Sequence, residues 1–240
     1  MAAGAAEVSG RGAGAPATVV PAVAPSRRPR LPQVLDVSQH NGLRVLVVHR
    51  PGVPRVELRL RVPLVRHGPP DSGTRARLVA DTLLSGTQDR SSVAIAQELQ
   101  RLGASVIATA DVEVLVVSGS SLAATLVPFL ELVAEIVSAA TFPPAEVAVE
   151  RERVAQELRI QASQPGTIAH QALVARLYGR HPYGLPLPDP EAVRRTGAAR
   201  LRRFHDERVT ARGSTLVLVG DLRPARAVDL VERAFGAWAS

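Results

Sequence analysis

The sequence predicts an α+β fold in which an antiparallel-rich mixed sheet carries helices on one face. Strand-like segments follow one another with short turns between them, as at Asn41-Gly42, a dipeptide typical of tight hairpins. Helix-like segments come in consecutive runs, which disfavours a regular alternation of strand and helix. Residues 56–62 (VELRLRV) alternate apolar and polar side chains, as expected of a strand with one buried face.

The strand predictions rest on β-branched and aliphatic runs that glycine or proline interrupts. Three predicted strands lie near the N-terminus, two form a pair in the middle of the chain, and one lies near the C-terminus. They cover residues 34–37, 43–48, 56–62, 105–110, 112–118 and 214–219.

The helix predictions rest on apolar residues that recur every three or four positions and on residues that suit helix ends. Ser91 or Ser92 suits an N-cap, and Gly86 and Gly103 suit C-terminal stops. Leu122 begins an apolar stripe that we expect to pack on the sheet. The predicted helices cover residues 73–85, 93–102, 122–137, 145–162, 167–177, 191–195, 198–208 and 224–235.

Residues 1–33 differ in composition from the rest of the chain. They carry four Arg, one Glu and no aromatic residue, and prolines interrupt every apolar run. We therefore predict a disordered leader over residues 1–33 and a single domain over residues 34–240; a targeting peptide is the alternative for the leader. No window approaches the ~20 apolar residues of a membrane-spanning helix, so the sequence predicts a cytoplasmic protein without a membrane partner.

The composition excludes several kinds of site. The 240 residues include no cysteine, which excludes a disulfide scaffold, a thiol nucleophile and cysteine-ligated metals. The net charge of +7 comes from arginine alone, and its densest run, residues 194–203, has no aromatic residue before Phe204. The arginine excess, with no lysine, is typical of a GC-rich coding sequence. We therefore predict no nucleic-acid partner.

The usual catalytic motifs are missing. The six histidines lie at positions 40, 49, 67, 170, 181 and 205, so no two are four residues apart on a helix. The sequence also lacks a G-x-S-x-G nucleophile elbow and a Walker loop. One predicted helix carries three glutamates, Glu150, Glu152 and Glu157, interspersed with arginines at positions 151, 153 and 159. The ordinary interpretation of that pattern is a solvated helix face.

Six phrases, taken in order, resemble the insulinase/pitrilysin family of inverzincin-type zinc peptidases, which includes the mitochondrial processing peptidase. The phrase GTRARLVADTLLSGT resembles the family helix G-x-x-H-x-x-E-H-x-L-x-x-G-T, and ERERVAQE resembles the helix that carries the third zinc ligand. The six phrases cover residues 41–48 (NGLRVLVV), 73–87, 150–157, 178–184 (YGRHPYG), 218–221 (LVGD) and 235–238 (FGAW).

The resemblance implies that the zinc motif is replaced. Arg77 and Asp81 occupy the positions of the two histidines, and Ala80 occupies that of the general base. Glu157, which lies 76 residues after Asp81, matches the third ligand, and Glu150 matches a second family acid. We therefore predict no catalytic residue, no metal ligand and no cofactor, although active relatives use zinc. Arg77 is expected to fill the cation position and to pair with Asp81 or with Glu157.

The resemblance further implies a non-catalytic domain that acts as a structural or substrate-presenting partner of an active insulinase-like homologue. Such a domain would not be an enzyme. The alternatives are a stand-alone module that binds extended peptides and a weak zinc metalloendopeptidase with an atypical ligand set. Ile107 stands where the family often has an asparagine on its substrate-binding strand, although a sheet edge can still pair with a peptide through its backbone. Subunits of the family usually join two such domains. This chain could therefore be a half-sized partner subunit or a piece of a longer protein.

Overall fold

The computed structural model describes residues 32–64, 72–179 and 181–239, and six strands in these residues form one sheet. The leader prediction, apart from residues 32 and 33, lies outside the described residues, as does His67. The strands are β1 (Val34–Ser38), β2 (Arg44–His49), β3 (Arg55–Pro63), β4 (Ser105–Ala110), β5 (Val114–Leu122) and β6 (Thr215–Gly220).

The sheet is mixed and mostly antiparallel, which confirms the prediction. Its strand order is β1-β2-β6-β3-β5-β4. The last strand of the chain, β6, lies between β2 and β3, with Leu216 beside Val45 in a parallel pair and beside Leu60 in an antiparallel one. Consecutive strands β2 and β3 are therefore not neighbours, and β4 forms one edge of the sheet.

One face of the sheet is buried and the other is open. On β3, Val56 and Leu58 are buried on one side of the sheet. Glu57 and Arg59, which alternate with them along the strand, are exposed on the other side. Helices cover the buried face, in agreement with the prediction, although the helix Pro165–Tyr178 has no buried residue. The helices are α1 (Ser72–Thr82), α2 (Ser92–Leu102), α3 (Leu126–Ser138), α4 (Pro144–Ala162), α5 (Pro165–Tyr178), α6 (Pro190–Arg194), α7 (Ala198–Arg208) and α8 (Pro224–Phe235). No helix among the described residues is both long and apolar enough to cross a membrane.

The ends of α2 follow the sequence signals. The side chain of Ser91 accepts a hydrogen bond from the backbone nitrogen of Ala94 at 3.3 Å, as an N-cap does. Gly103 ends the helix in the left-handed conformation at φ +61°, which glycine adopts without the steric cost of a Cβ atom. Both predicted helix ends are confirmed.

Three predicted boundaries are wrong by three or four residues. Strand β5 was expected to end at residue 118, but it continues through Gly119 and two serines to Leu122, which pairs with Arg55. Helix α3 accordingly begins at Leu126, after one turn of 3-10 helix over Ala123–Thr125. The small polar residues interrupt the apolar pattern in the sequence, but their backbone continues the ladder with β3. The first helix also ends earlier than expected, at Thr82.

Candidate functional site

Helices α1 and α4 pack together and bring the predicted site residues into one charged cluster. Arg77 and Asp81 lie one turn apart on α1, whereas Glu150, Arg153 and Glu157 share one face of α4. Residues three and four apart on a helix are neighbours on its surface, so these spacings direct each set toward the facing helix. Ala80 has its side chain in the core and is 2% exposed, so it takes no part in the cluster.

Four of these side chains form a closed ring of alternating charge. The guanidinium of Arg77 donates from Nε to Asp81 Oδ2 at 3.4 Å and from Nη2 to Glu157 Oε2 at 2.5 Å. The guanidinium of Arg153 donates from Nη2 to the same Asp81 oxygen at 3.2 Å and from Nη1 to the same Glu157 oxygen at 3.3 Å. The carboxylates of Asp81 and Glu157 therefore each accept hydrogen bonds from both arginines.

Glu150 joins the ring from its α4 side. Arg153 Nε donates to Glu150 Oε1 at 2.7 Å, and this hydrogen bond raises the pKa of Arg153. The cluster thus holds two guanidinium groups and three carboxyl groups, so negative charge is in excess when all five are ionised.

The sequence predicts most of this cluster. Asp81 and Glu157 are the alternative partners expected for Arg77, and the structure shows contacts to both. Arg153 is expected only as one of several solvated neighbours, but it makes the second link between the helices. Its spacing of three residues after Glu150 and four before Glu157 is the signal that could have revealed this role.

Burial raises the pKa of Asp81 above its ordinary range. Arg77 and Arg153 act in the opposite direction, and the charge of Glu150 adds to the rise. The folded protein therefore binds a proton at Asp81 more readily than the unfolded chain does. This carboxyl group contributes stability at low pH that is lost as the pH rises through its folded-state pKa.

The substitution Asp81→Asn is expected to remove this loss of stability at rising pH, because asparagine does not titrate. Relative to the wild type, the variant should gain free energy of unfolding as the pH rises from about 4, near the pKa of an unfolded aspartate, toward 7. Asp36→Asn is the matched control, because a hydrogen bond from Arg44 lowers the pKa of Asp36. That variant should instead lose stability relative to the wild type mainly as the pH rises from about 2 to about 4, and should run nearly parallel to it from pH 4 to 7. Urea unfolding at several pH values measures the free energy of unfolding of both variants and of the wild type. If this free energy changed equally with pH in Asp81→Asn and in the wild type, the prediction would be contradicted.

The residues of this cluster do not fit a zinc ion. Arginine stays charged in proteins and offers no lone pair, so Arg77 cannot be a ligand. Asp81 and Glu157 provide carboxylate oxygens without an imidazole, a set that suits zinc poorly. Both of the oxygens that face the other helix are already bound by two permanent cations. No group of three metal-binding side chains with the geometry of a metal site occurs within the described ranges.

A small cavity and a sheet edge adjoin the cluster. The cavity has a volume of about 240 Å³ and is lined by Arg77 of α1, Leu158 of α4 and Ala110 at the end of β4, among others. Ile107 on β4, which the resemblance aligns with the asparagine that the family often has on this strand, is 63% exposed. The edge strand thus ends beside the charged ring.

A family model described as insulinase, peptidase family M16, matches residues 44–191. The match includes α1 and α4 and covers more than half of the chain. The chain belongs to the insulinase family. The family resemblance inferred from the six phrases is therefore confirmed, and the charged ring occupies the helices that the family motif identifies.

Individual relatives agree with this assignment. An uncharacterized zinc protease of Mycobacterium tuberculosis is 28% identical over 226 residues, which are 92% of this chain and 49% of that protein. The solved peptidase M16 inactive domain from Pseudomonas fluorescens is 30% identical, with a TM-score of 0.79 over 85% of this chain and 50% of that one. A protease from Helicobacter pylori shares the fold at 20% identity and a TM-score of 0.79, over 88% of this chain and 51% of that one. The chain thus spans about half the length of each of these three proteins.

Proposed function

We propose that this protein is a non-catalytic insulinase-family domain that acts as a structural or substrate-presenting partner of an active zinc peptidase homologue. The observation that carries the proposal is the charged ring at the motif positions. Arg77 and Asp81 stand where active members have histidines, and they bind each other and residues of α4.

The chemistry of these side chains supports the absence of catalysis. A zinc peptidase needs ligands that leave one metal position open for water, and a general base beside that water. Ala80, at the base position, cannot accept a proton and is buried in the core. The likeness to a Pseudomonas fluorescens structure described as an inactive domain is consistent with this role.

The edge strand supports the presenting role. β4 has a neighbour only on its β5 side in the described sheet, so its other backbone edge can add an extended peptide as a further strand. The apolar side chain of Ile107 would contact such a peptide. The adjoining cavity offers space for one small side chain of it.

The test is peptidase activity in a mixture. The domain is combined with a homologue that retains H-x-x-E-H, and cleavage of an extended peptide is measured with each protein alone and with both. Activity should rise only in the mixture, and the two proteins should elute together in gel filtration. A mixture no more active than the homologue alone would refute the partner role.

Variants at the two sheet edges sharpen this test. Ile107→Asp should reduce cleavage in the mixture, because it places a charge beside the peptide. Val34→Asp is the matched control, since Val34 lies on the opposite edge strand and is 54% exposed. Equal effects of the two substitutions would argue against presentation by β4.

A stand-alone peptide-binding module is the second candidate, and the exposed edge of β4 favours it. Such a module should bind a fluorescent extended peptide by itself, with a change in polarisation that Ile107→Asp weakens. Binding without any effect on a homologue would favour this candidate over the partner role. A weak zinc peptidase would instead purify with nearly one zinc per chain, which atomic zinc analysis measures.

A further inference from the structure

The charged ring joins α1 to α4 through two separate contacts. One runs from Arg77 to Glu157 and the other runs back from Arg153 to Asp81. Together they connect the two helices in both directions, whereas the remaining contacts of the ring lie within a single helix. This crossed pattern resembles the way in which one divalent ion links carboxylates from two elements.

We propose that Arg77 and Arg153 are the resident cations of this site and hold α1 against α4 without a metal ion. Their combined charge of two equals that of a divalent cation. The proposal goes beyond the loss of catalysis, because it gives the replaced positions a stabilising role of their own. It concerns the isolated domain, so it can fail while the partner function holds, and the reverse is equally possible.

The carboxyl groups explain why a cation is needed. Asp81, Glu150 and Glu157 converge between the two helices, and the side chain of Asp81 is only 23% exposed. Without neighbouring positive charge, three carboxylates at this junction would repel one another and push the helices apart. Each of the three contacts at least one guanidinium, and Asp81 and Glu157 contact both.

The position of α1 explains why its link to α4 through the charged ring affects the rest of the fold. Its residues Ala76, Leu78 and Val79 are buried in the core, and α1 packs beside β4. Val154 and Leu158 of α4 enter the same core. The ring therefore lies at the surface end of this packing and fixes the helix that supports the edge strand.

The same arginines oppose metal binding. A divalent ion close to Asp81 Oδ2 and Glu157 Oε2 would lie beside two permanent positive charges that already contact these atoms. Neither guanidinium can lose its proton to make room, because arginine remains charged at every accessible pH.

Thermal unfolding of the full chain tests the proposal. Arg77→Ala should lower the melting temperature by about 3–6 °C in low salt, and 1 M salt should remove most of the difference between variant and wild type. Arg101→Ala is the matched control, because its ion pair with Glu98 lies within α2 and joins no other element. It should lower the melting temperature by about 1 °C or less. An Arg77→Ala effect no larger than that of the control would overturn the proposal.

Added zinc provides a measurement that needs no variant. The wild-type melting temperature should be the same in excess EDTA and in stoichiometric zinc. A rise of several degrees with zinc would overturn the proposal, because it would show that the ring admits a metal.

A gain of metal binding tests the position of the ring. The triple variant Arg77→His, Asp81→His, Arg153→Ala places two imidazoles four residues apart on α1, facing Glu157, and removes both arginines from its carboxylate. Zinc should raise its melting temperature by about 5 °C or more while leaving the wild type unchanged. A folded triple variant that takes up no zinc would overturn the assignment of the arginines to the metal position.

Discussion

Replacement of Gly220 by alanine is expected to lower the free energy of unfolding by about 3 kcal/mol. Gly220 ends β6 at φ +153°, a conformation that side chains rarely adopt. A Cβ atom there would lie 2.1 Å from the carbonyl oxygen of Arg55 and 2.7 Å from the Cα atom of Val56. Both atoms belong to the backbone of β3, so no side-chain rotation relieves the clash, and β6 must separate from β3.

Urea unfolding followed by circular dichroism measures this loss. Gly166→Ala is the control, because a Cβ atom on Gly166 meets nothing within 4 Å. Gly166 also lies within α5, where alanine favours helix more than glycine does. That variant should equal or slightly exceed the wild type in stability. A Gly220→Ala protein as stable as the Gly166→Ala protein would show that β6 does not require this close approach.

Truncation of Phe129 to alanine is expected to cost about 4 kcal/mol of unfolding free energy. Phe129 is fully buried on α3, and its ring lies directly over Gly119 of β5. A Cβ atom at Gly119 would approach the ring's Cζ atom to 2.9 Å, so ring and glycine fit each other closely. Alanine would leave a cavity under the sheet that neighbouring side chains fill only partly.

Val127→Ala is the matched control for this substitution. Val127 lies on the same helix, two residues earlier, and is 37% exposed. Its truncation should change stability by less than about 1 kcal/mol, because partly exposed side chains contribute less buried surface. If both variants unfold at the same urea concentration, α3 does not carry the core contact that the structure shows.

The local pattern of the sequence predicted the elements well, because each one shows its own periodicity or its own end signals. Helix α7 was expected at residues 198–208 and occurs there, and α8 was expected at residues 224–235 and occurs there. The position of β6 between β2 and β3 was not predictable in this way. Strand order depends on contacts between distant parts of the chain, which no single segment encodes.

The candidate site was predicted in part for a related reason. The family motif identified Arg77, Asp81 and Glu157, since their positions are set by a known spacing. Arg153 has no equivalent in that motif, so its contact with Asp81, 72 residues away, emerged only from the packing of α1 on α4. The raised pKa of Asp81 likewise depends on burial, which the sequence does not reveal.

The central place of β6 has a consequence for how the chain is made. β6 begins at Thr215, so every other strand leaves the ribosome before the one that joins β2 to β3. Until Gly220 has emerged, the backbone groups of β2 and β3 that face this gap have no strand to pair with. Nascent chains stalled before residue 215 should therefore be more sensitive to proteases than the finished domain. Closure of the described sheet therefore waits for its sixth strand, after the other five have been translated.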